Sequence, residues 1–393
     1  MTLFCKICTL ATLVTLAVLS AACIHTAGPA VEQERAATPL SSQRGLVQPH
    51  IAPPQSPVAL KVLTYNVQFR PALADMLAPG WPNTQARAEA IGRAIACYDI
   101  IALQEVFRAD RLAEIVRAAE RAGAQCGNRS RLPSGKIFAV ATGPRVHPTV
   151  NSFPFTIVEW TLKSLYNLVD KWLTNNQQAT PVANSGLVLL SRYPIVSVES
   201  QAFRSRRGFD AWARKGVLHA VLQVEPEGTG RELDVFITHL QAAHHRHTRL
   251  AQVRELARFI GRKRVPPSPN PVLVLGDFNI DGAVRHWQHT QSEYSLLHTT
   301  LRNVAPQLVD VWSVEQETTP GFTNARRDRR IDYIFASQGR GLAIRRVRIQ
   351  EFGTAAAVPP SYDSLPLGQT SPVSPYTTLS DHAGVEAVFR WRP

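Results

Sequence analysis

From Leu60 to Trp391, short apolar runs alternate with stretches whose apolar residues recur at helical spacing. That alternation restricts the chain to an α/β architecture: each strand or helix has one apolar face to bury, and stacked layers bury all of them. Strand-like runs stand at Leu63–Val67, Ile100–Val106, Ile137–Ala141, Ser185–Ser191, Val217–Val224, Leu233–Leu240, Val272–Leu275, Ile331–Ala336, Ile344–Gln350 and Val385–Trp391. Helical stripes stand at Ala86, Ala90, Ile91, Ala94 and Ile95, and at Leu112, Ile115, Val116 and Ala119. A third helix is predicted over Thr248 to Arg262, with Leu250, Val253, Leu256, Ala257 and Ile260 on one face. No internal repeat is visible. Two stacked sheets with helices on their outer faces satisfy this pattern.

Polar words sit against these runs: Thr64-Tyr65-Asn66, Gln104-Glu105, Thr238-His239, Gly276-Asp277-Phe278-Asn279, Ile331-Asp332-Tyr333 and Ser380-Asp381-His382. They place amides, carboxylates and imidazoles at strand ends, the set required for metal-assisted cleavage of a phosphoester. Glu105 ends a very apolar strand, where a carboxylate without a cation is costly to bury. It is therefore the leading metal ligand. Asn66 supports the metal or the phosphate, and Asp381 binds or supports the metal. No nucleophilic Ser or Cys motif appears, so water is the nucleophile and His382 its base. Asp332 orients that base from a neighbouring strand. Asp277 and Asn279, two apart at one strand end, point the same way and hold water or phosphate. His239 donates to the phosphate as charge develops. Taken singly, each of these residues is more often a satisfied core or surface group. Six words in one order change that.

The order N, QE, TH, GDFN, IDY, SDH resembles the endonuclease/exonuclease/phosphatase superfamily over roughly Leu60 to Trp391. The resemblance implies a deoxyribonuclease-like fold: a four-layered α/β sandwich, two stacked mixed sheets flanked by helices. It also implies Mg²⁺, with Mn²⁺ or Co²⁺ as substitutes. In its terms Glu105 is the main metal ligand with Asn66 assisting, Asp277 and Asn279 position water and phosphate, His239 stabilises the phosphate, and Asp332 supports His382.

Three details are similar to the neutral sphingomyelinase branch. They are Asn184–Leu187 leading into Leu190–Ile195, Thr238–Ala242, and Asp210–Leu218 with its Lys215-Gly216 pair. Asp210 lies five before Lys215, as in that branch, and the similarity adds Lys215 to the catalytic set. It implies a phospholipid substrate at a membrane surface, sphingomyelin cleaved to ceramide and phosphocholine, and a monomer. Nucleic acid is the alternative substrate. It is favoured by the clusters Arg204/Arg206/Arg207 and Arg326/Arg327/Arg329/Arg330, whereas the net charge of +13, its cationic excess almost all Arg, suits nucleic acid and anionic lipid headgroups alike and does not choose between them. Those clusters can equally be solvated loops or a grip on anionic membrane. An inactive binding module is disfavoured, because no catalytic word is missing.

The beginning of the chain reads as an export signal over residues 1–22. Lys6 precedes an apolar run from Ile7 to Leu19, too short to span a bilayer, and Ser20-Ala21-Ala22 lead to Cys23. Lipidation at Cys23 and plain secretion both stay open. Residues 23–59 read as a flexible tether and 60–393 as the catalytic domain, with an insertion near 150–180. Within that insertion, Phe153 to Leu173 is rich in aromatic and aliphatic residues, suiting either a core helix or an element that dips into an interface. Gly353 to Thr378 reads as a long loop. Cys97 and Cys126 each precede a strand after a helix, which suggests neighbouring strands. A disulfide and two separate thiols are both compatible with an oxidising compartment.

Overall fold

The computed structural model describes residues 59–71, 81, 84–126, 132, 134–145, 183–224, 231–264, 270–283, 292–316, 319–338, 341–353 and 378–391. The export signal, the tether, the stretch Phe153–Leu173 and the loop interior at 354–377 lie outside the described residues. In chain order the elements are β1 (Ala59–Phe69), α1 (Gln85–Ile95), β2 (Ile100–Val106), α2 (Ala109–Gly123), β3 (Ala139–Thr142), β4 (Val188–Ser191), β5 (Ile195–Ala202), β6 (Gly216–Gln223), β7 (Glu232–His239), α3 (Arg246–Lys263), β8 (Val272–Asp277), α4 (Glu293–Val304), β9 (Leu308–Asp310), α5 (Val311–Glu315), β10 (Asp332–Ser337), β11 (Leu342–Gln350) and β12 (Gly384–Trp391).

The strands form two six-stranded sheets, ordered β11-β12-β1-β2-β4-β3 and β5-β6-β7-β8-β10-β9. Pairing is parallel between β1 and β2 and between β7 and β8, and antiparallel elsewhere. Both sheets are therefore mixed, as the sequence predicts. Period-two alternation assigns each strand's two faces. Leu60 and Val62 of β1, Ile100 and Ala102 of β2, Val235 and Ile237 of β7, Leu273 and Leu275 of β8, and Ile334 of β10 fill one core between the sheets. Leu63, Tyr65, Ile101 and Leu103 turn outward onto Ala88 and Ile91 of α1 and Ile115 and Ala119 of α2. Phe236, Val274 and Phe335 turn outward onto Leu256 and Ile260 of α3 and Leu297 of α4. Helix, sheet, sheet, helix is the four-layered sandwich.

Two features depart from expectation. Cys97 and Cys126 are bonded to each other, but not on strands: they join the segments just after α1 and α2, with Cα atoms 5.3 Å apart. The Arg326–Arg330 cluster is not one surface. Arg330 is fully buried, 2.7 Å from Asp310, and donates to the Gly282 carbonyl.

Candidate active site

The site lies at one end of the inter-sheet core and follows from the same alternation. Asn66 continues the inward face of Leu60 and Val62. His239 continues that of Val235 and Ile237, Asp277 that of Leu273 and Leu275, and Asp332 shares the face of Ile334. Register then aligns three of them. His239 pairs with Asp277 across β7 and β8, and Asp277 pairs with Asp332 across β8 and β10. The strands approach closely here: a Cβ at Gly276 would stand 2.0 Å from the Thr238 carbonyl oxygen, so the first position of the GDFN word admits only glycine.

Glu105 breaks the pattern. By parity it belongs to the outward face of Ile101 and Leu103. Its backbone is left-handed at φ 60°, and this brings its carboxylate back to the site, where Asn66 Nδ2 donates to Oε1 at 3.0 Å. The same amide donates to Asp277 Oδ2 at 3.1 Å, joining the two sheets. Asn66 Oδ1 meanwhile accepts from the Gln68 backbone N–H. In this arrangement Asn66 presents donors to two carboxylates and orients both.

Asn279 does not share a strand face with Asp277. The strand ends at Asp277, Asn279 is left-handed at φ 52°, and its N–H donates to Asp277 Oδ1 at 2.8 Å. An Asp side chain capping the backbone two residues on stops the extended strand. The Asn279 amide donates to the Leu240 carbonyl at 3.2 Å. Asp332 likewise reaches its histidine from the opposite sheet, not from a neighbouring strand: its Oδ2 is 2.8 Å from His382 Nδ1. His382 Nε2 faces Asp277 Oδ2 at 3.8 Å.

Lys215 enters just before β6. Its ammonium donates to Asp210 Oδ2 at 2.7 Å and to the Leu240 carbonyl at 3.0 Å, and lies 3.0 Å from His239 Nε2. All three ammonium protons are thereby engaged. Gly216 is required beside it, since a Cβ there would stand 2.1 Å from the Gln201 carbonyl oxygen. His239 Nε2 is also 3.4 Å from Asp277 Oδ2 and 3.9 Å from Glu105 Oε1. Asp381 accepts from Gln68 Nε2 at 2.7 Å. All nine residues singled out in the sequence belong to this one network or its immediate supports.

Electrostatics set the protonation states. Burial, and then the Asp381 carboxylate, push Glu105 up. Burial and Asp332 push Asp277 up to about 7. Burial disfavours charge on His382, but Asp332 and Asp277 outweigh it and raise it well above the ordinary imidazole range. His239 is lowered well below that range by burial, Lys215 and His382, so it is neutral. Crowded carboxylates held above their ordinary range are what a divalent cation relieves. Asp332 Oδ1 and His239 Nδ1 are also buried without a hydrogen-bond partner. The donor set fits a cation. Asp277, Asp332 and His382 offer one atom each, all within 4.8 Å of one another, and could hold a metal. The set read from the sequence is different: Glu105 and Asp381 offer carboxylate oxygens, while the Asn66 oxygen accepts from the Gln68 N–H and its amide faces the Glu105 and Asp277 carboxylates.

Three supports were not identified in the sequence. Gln68, left-handed at φ 48° beside a register shift in β1, holds Asp381. Thr323 accepts from the Asp332 N–H through its hydroxyl and from the Ala383 N–H through its carbonyl, tying the segment of His382 to that of Asp332. Arg87, buried in α1, donates to the carbonyls of Val67, Gln68 and Leu379 and lies 3.8 Å over the Phe69 ring. A lone Arg in a helical stripe carries no signal for that role.

The family model described as the Endonuclease/Exonuclease/phosphatase family matches residues 63–382. A phospholipase C of Staphylococcus aureus is 29% identical over 110 residues, which are 26% of this chain and 32% of that protein. A sphingomyelinase of Dictyostelium discoideum is 25% identical over 134 residues, 27% of this chain and 29% of that protein. The chain thus matches about a third of the length of these curated relatives. Among solved structures, a beta toxin of Staphylococcus aureus superposes with a TM-score of 0.51 at 18% identity, covering 84% of this chain and 99% of that one, and shares the fold.

Proposed function

Because the chain belongs to the Endonuclease/Exonuclease/phosphatase family of phosphodiesterase and phosphatase hydrolases, we propose that it hydrolyses sphingomyelin to ceramide and phosphocholine. The observation that carries this reading is the position of Lys215. The Lys-Gly segment is the feature similar to sphingomyelinases, and its ammonium sits 3.0 Å from His239, beside the carboxylates. The partial matches to a phospholipase C and a sphingomyelinase support the same substrate class.

In this reading a divalent cation, Mg²⁺ by preference, is held by Glu105, Asn66 and Asp381 and supplies positive charge to the nonbridging phosphate oxygens. His382 in its neutral form takes a proton from the attacking water at Nε2, while Asp332 fixes the ring through Nδ1 and stabilises the imidazolium that results. Asp277 and Asn279 confine water and phosphate. His239 and Lys215 provide the polar wall against which charge develops. Water forms the new P–O bond, the bond to the ceramide oxygen breaks, that oxygen takes a proton from solvent, and His382 returns its proton to solvent. Export, with or without lipid attachment at Cys23, brings the enzyme to phospholipid surfaces, where it acts as a monomer.

The test offers purified protein sphingomyelin vesicles and plasmid DNA, each with Mg²⁺. Phosphocholine release with intact plasmid is expected. Nicked plasmid with intact vesicles would select the nuclease alternative.

A further inference from the structure

A second feature lies outside the catalytic network. A cleft of about 780 Å³ is lined by Arg204, Ser205, Arg206 and Arg207 on one wall and by His244–Thr248 with Ala251, at the start of α3, on the other. No carboxylate lines it. The first wall is built rigidly from behind. Glu255 accepts from the N–H groups of Arg204 and Ser205 at 2.7 and 3.0 Å. Gln252 donates to the Ser205 carbonyl at 2.7 Å, and Gln241 exchanges two hydrogen bonds with the Arg207 backbone at 3.0 Å each. These backbone groups are engaged while the guanidiniums have no acidic partner: among the described residues none of Arg204, Arg206 and Arg207 pairs with a carboxylate. Arg206 Nε is buried with no partner at all.

On the opposite wall Arg246 lies 3.9 Å from the Glu293 carboxylate, and the remaining lining groups are uncharged side chains or imidazoles. α3 begins at Arg246 with no acidic residue in its first turn and no side chain capping its N–H groups. The His244 and His245 rings lie tilted against each other with centres 4.4 Å apart. Burial, His244 and Arg207 lower His245 below the ordinary imidazole range, against the opposing effect of Asp210. Guanidiniums crowded along one open cleft repel one another, and an anion shared between them relieves that repulsion. Donors arrive from two walls, which suits a tetrahedral oxyanion better than a flat carboxylate.

We propose that this cleft binds a phosphate-bearing anion, supplied either by a phospholipid headgroup or by free phosphate. Its walls are the segments that lead into Asp210 and follow His239, so the anion would sit beside the catalytic site without belonging to it. The readout is binding, not turnover, and stands whatever the substrate proves to be.

The probe is inorganic phosphate, titrated calorimetrically into the full chain with chelator present. Arg204→Gln with Arg206→Gln should weaken binding about tenfold or more, while Lys215→Ala leaves it unchanged. Vesicles of phosphatidylcholine, with and without phosphatidic acid, separate the sources. Loss of vesicle binding in the double variant assigns the headgroup, and loss of phosphate binding alone assigns a soluble anion. Wild-type binding unaltered in the double variant overturns the site. So does a variant that loses only plasmid DNA binding while phosphate never binds, which makes the cleft part of a nucleic-acid tract. A measurement on the wild type covers a variant that fails to fold. Phosphate should slow phenylglyoxal modification of Arg204 and Arg206, read by mass spectrometry, and equal modification with and without phosphate overturns the proposal.

Discussion

Replacing Arg87 with Met should damage both stability and the catalytic end of the sandwich, though Arg87 touches no catalytic side chain. Its guanidinium, 292 residues before its most distant partner, bridges two chain segments, donating to Val67 and Gln68 on one side and Leu379 on the other. Those carbonyls immediately flank Asn66 and the Ser380–His382 word. Each hydrogen bond to a charged donor contributes about 1.5–3 kcal/mol, and bonds sharing one group are less than additive. Met fills much of the volume but leaves three carbonyls unpaired, so a loss of about 4 kcal/mol is expected. Unfolding entropy of about 2.1 cal/mol/K per residue over roughly 330 residues converts this to a melting point lower by about 6 °C. Because the guanidinium sits behind the residues that hold Asp381 and Asn66, the Mg²⁺ concentration for half-maximal activity should rise about 10–100-fold. Arg87→Lys keeps the charge but cannot span all three carbonyls, and should fall between. Scanning calorimetry and a Mg²⁺ titration of phosphodiesterase activity check both numbers. A Met variant that melts within a degree of wild type and keeps its Mg²⁺ dependence would refute the reasoning.

Glu105→Gln should abolish most Mg²⁺-dependent turnover without unfolding the protein. Burial and Asp381 raise the folded pKa of Glu105, so its ionisation destabilises the fold as pH rises above the unfolded carboxylate value. The metal-free Gln variant should therefore gain stability relative to wild type from about pH 4 upward, and a metal-free variant that melts lower at neutral pH would sink this assignment. Asp332→Asn removes a carboxylate that raises His382 against the opposing effect of burial. The neutral base then persists to lower pH, so the acidic limb of the pH–rate profile should move down while the maximum rate falls. An acidic limb that stays in place would point to a different base. Reducing the Cys97–Cys126 bridge, which closes a loop of 29 residues, should cost about 3.6 kcal/mol by loop entropy and leave the rate of folded enzyme unchanged, measured by denaturant unfolding with and without reductant.

Most strands and the outer helices α1, α2 and α3 were legible because apolar period decides them, whereas α4, with only Tyr294, Leu297 and Leu301 buried, was not singled out. Asn66, His239, Asp277 and Asp332 could be read the same way, as polar continuations of inward apolar faces. Glu105 was legible as a residue type at a strand end but not as a geometry, since its left-handed backbone reverses the face that parity assigns. Asn279 misled for the same reason. β5 escaped notice because it is an edge strand with Val196 and Val198 exposed, so packing leaves little pattern in it. β9 and α5 are too short to carry a period. Gln68, Thr323 and Arg87 act through backbone groups of residues far away in sequence, and no local pattern encodes such contacts.

β12 lies between β11 and β1, pairing Val385 with Thr64, 321 residues earlier. A strand in the middle of a sheet cannot be added last without leaving β1 an open edge until it arrives. His382 sits just before that strand, and its partner Asp332 belongs to the other sheet. Among the described residues β1 and β12 are the first and last strands, so the first sheet is complete only when its two ends have met, and the His382–Asp332 contact then ties that junction to the second sheet. On the proposed mechanism a chain without that contact is inactive, and no inhibitory segment is needed to keep it so.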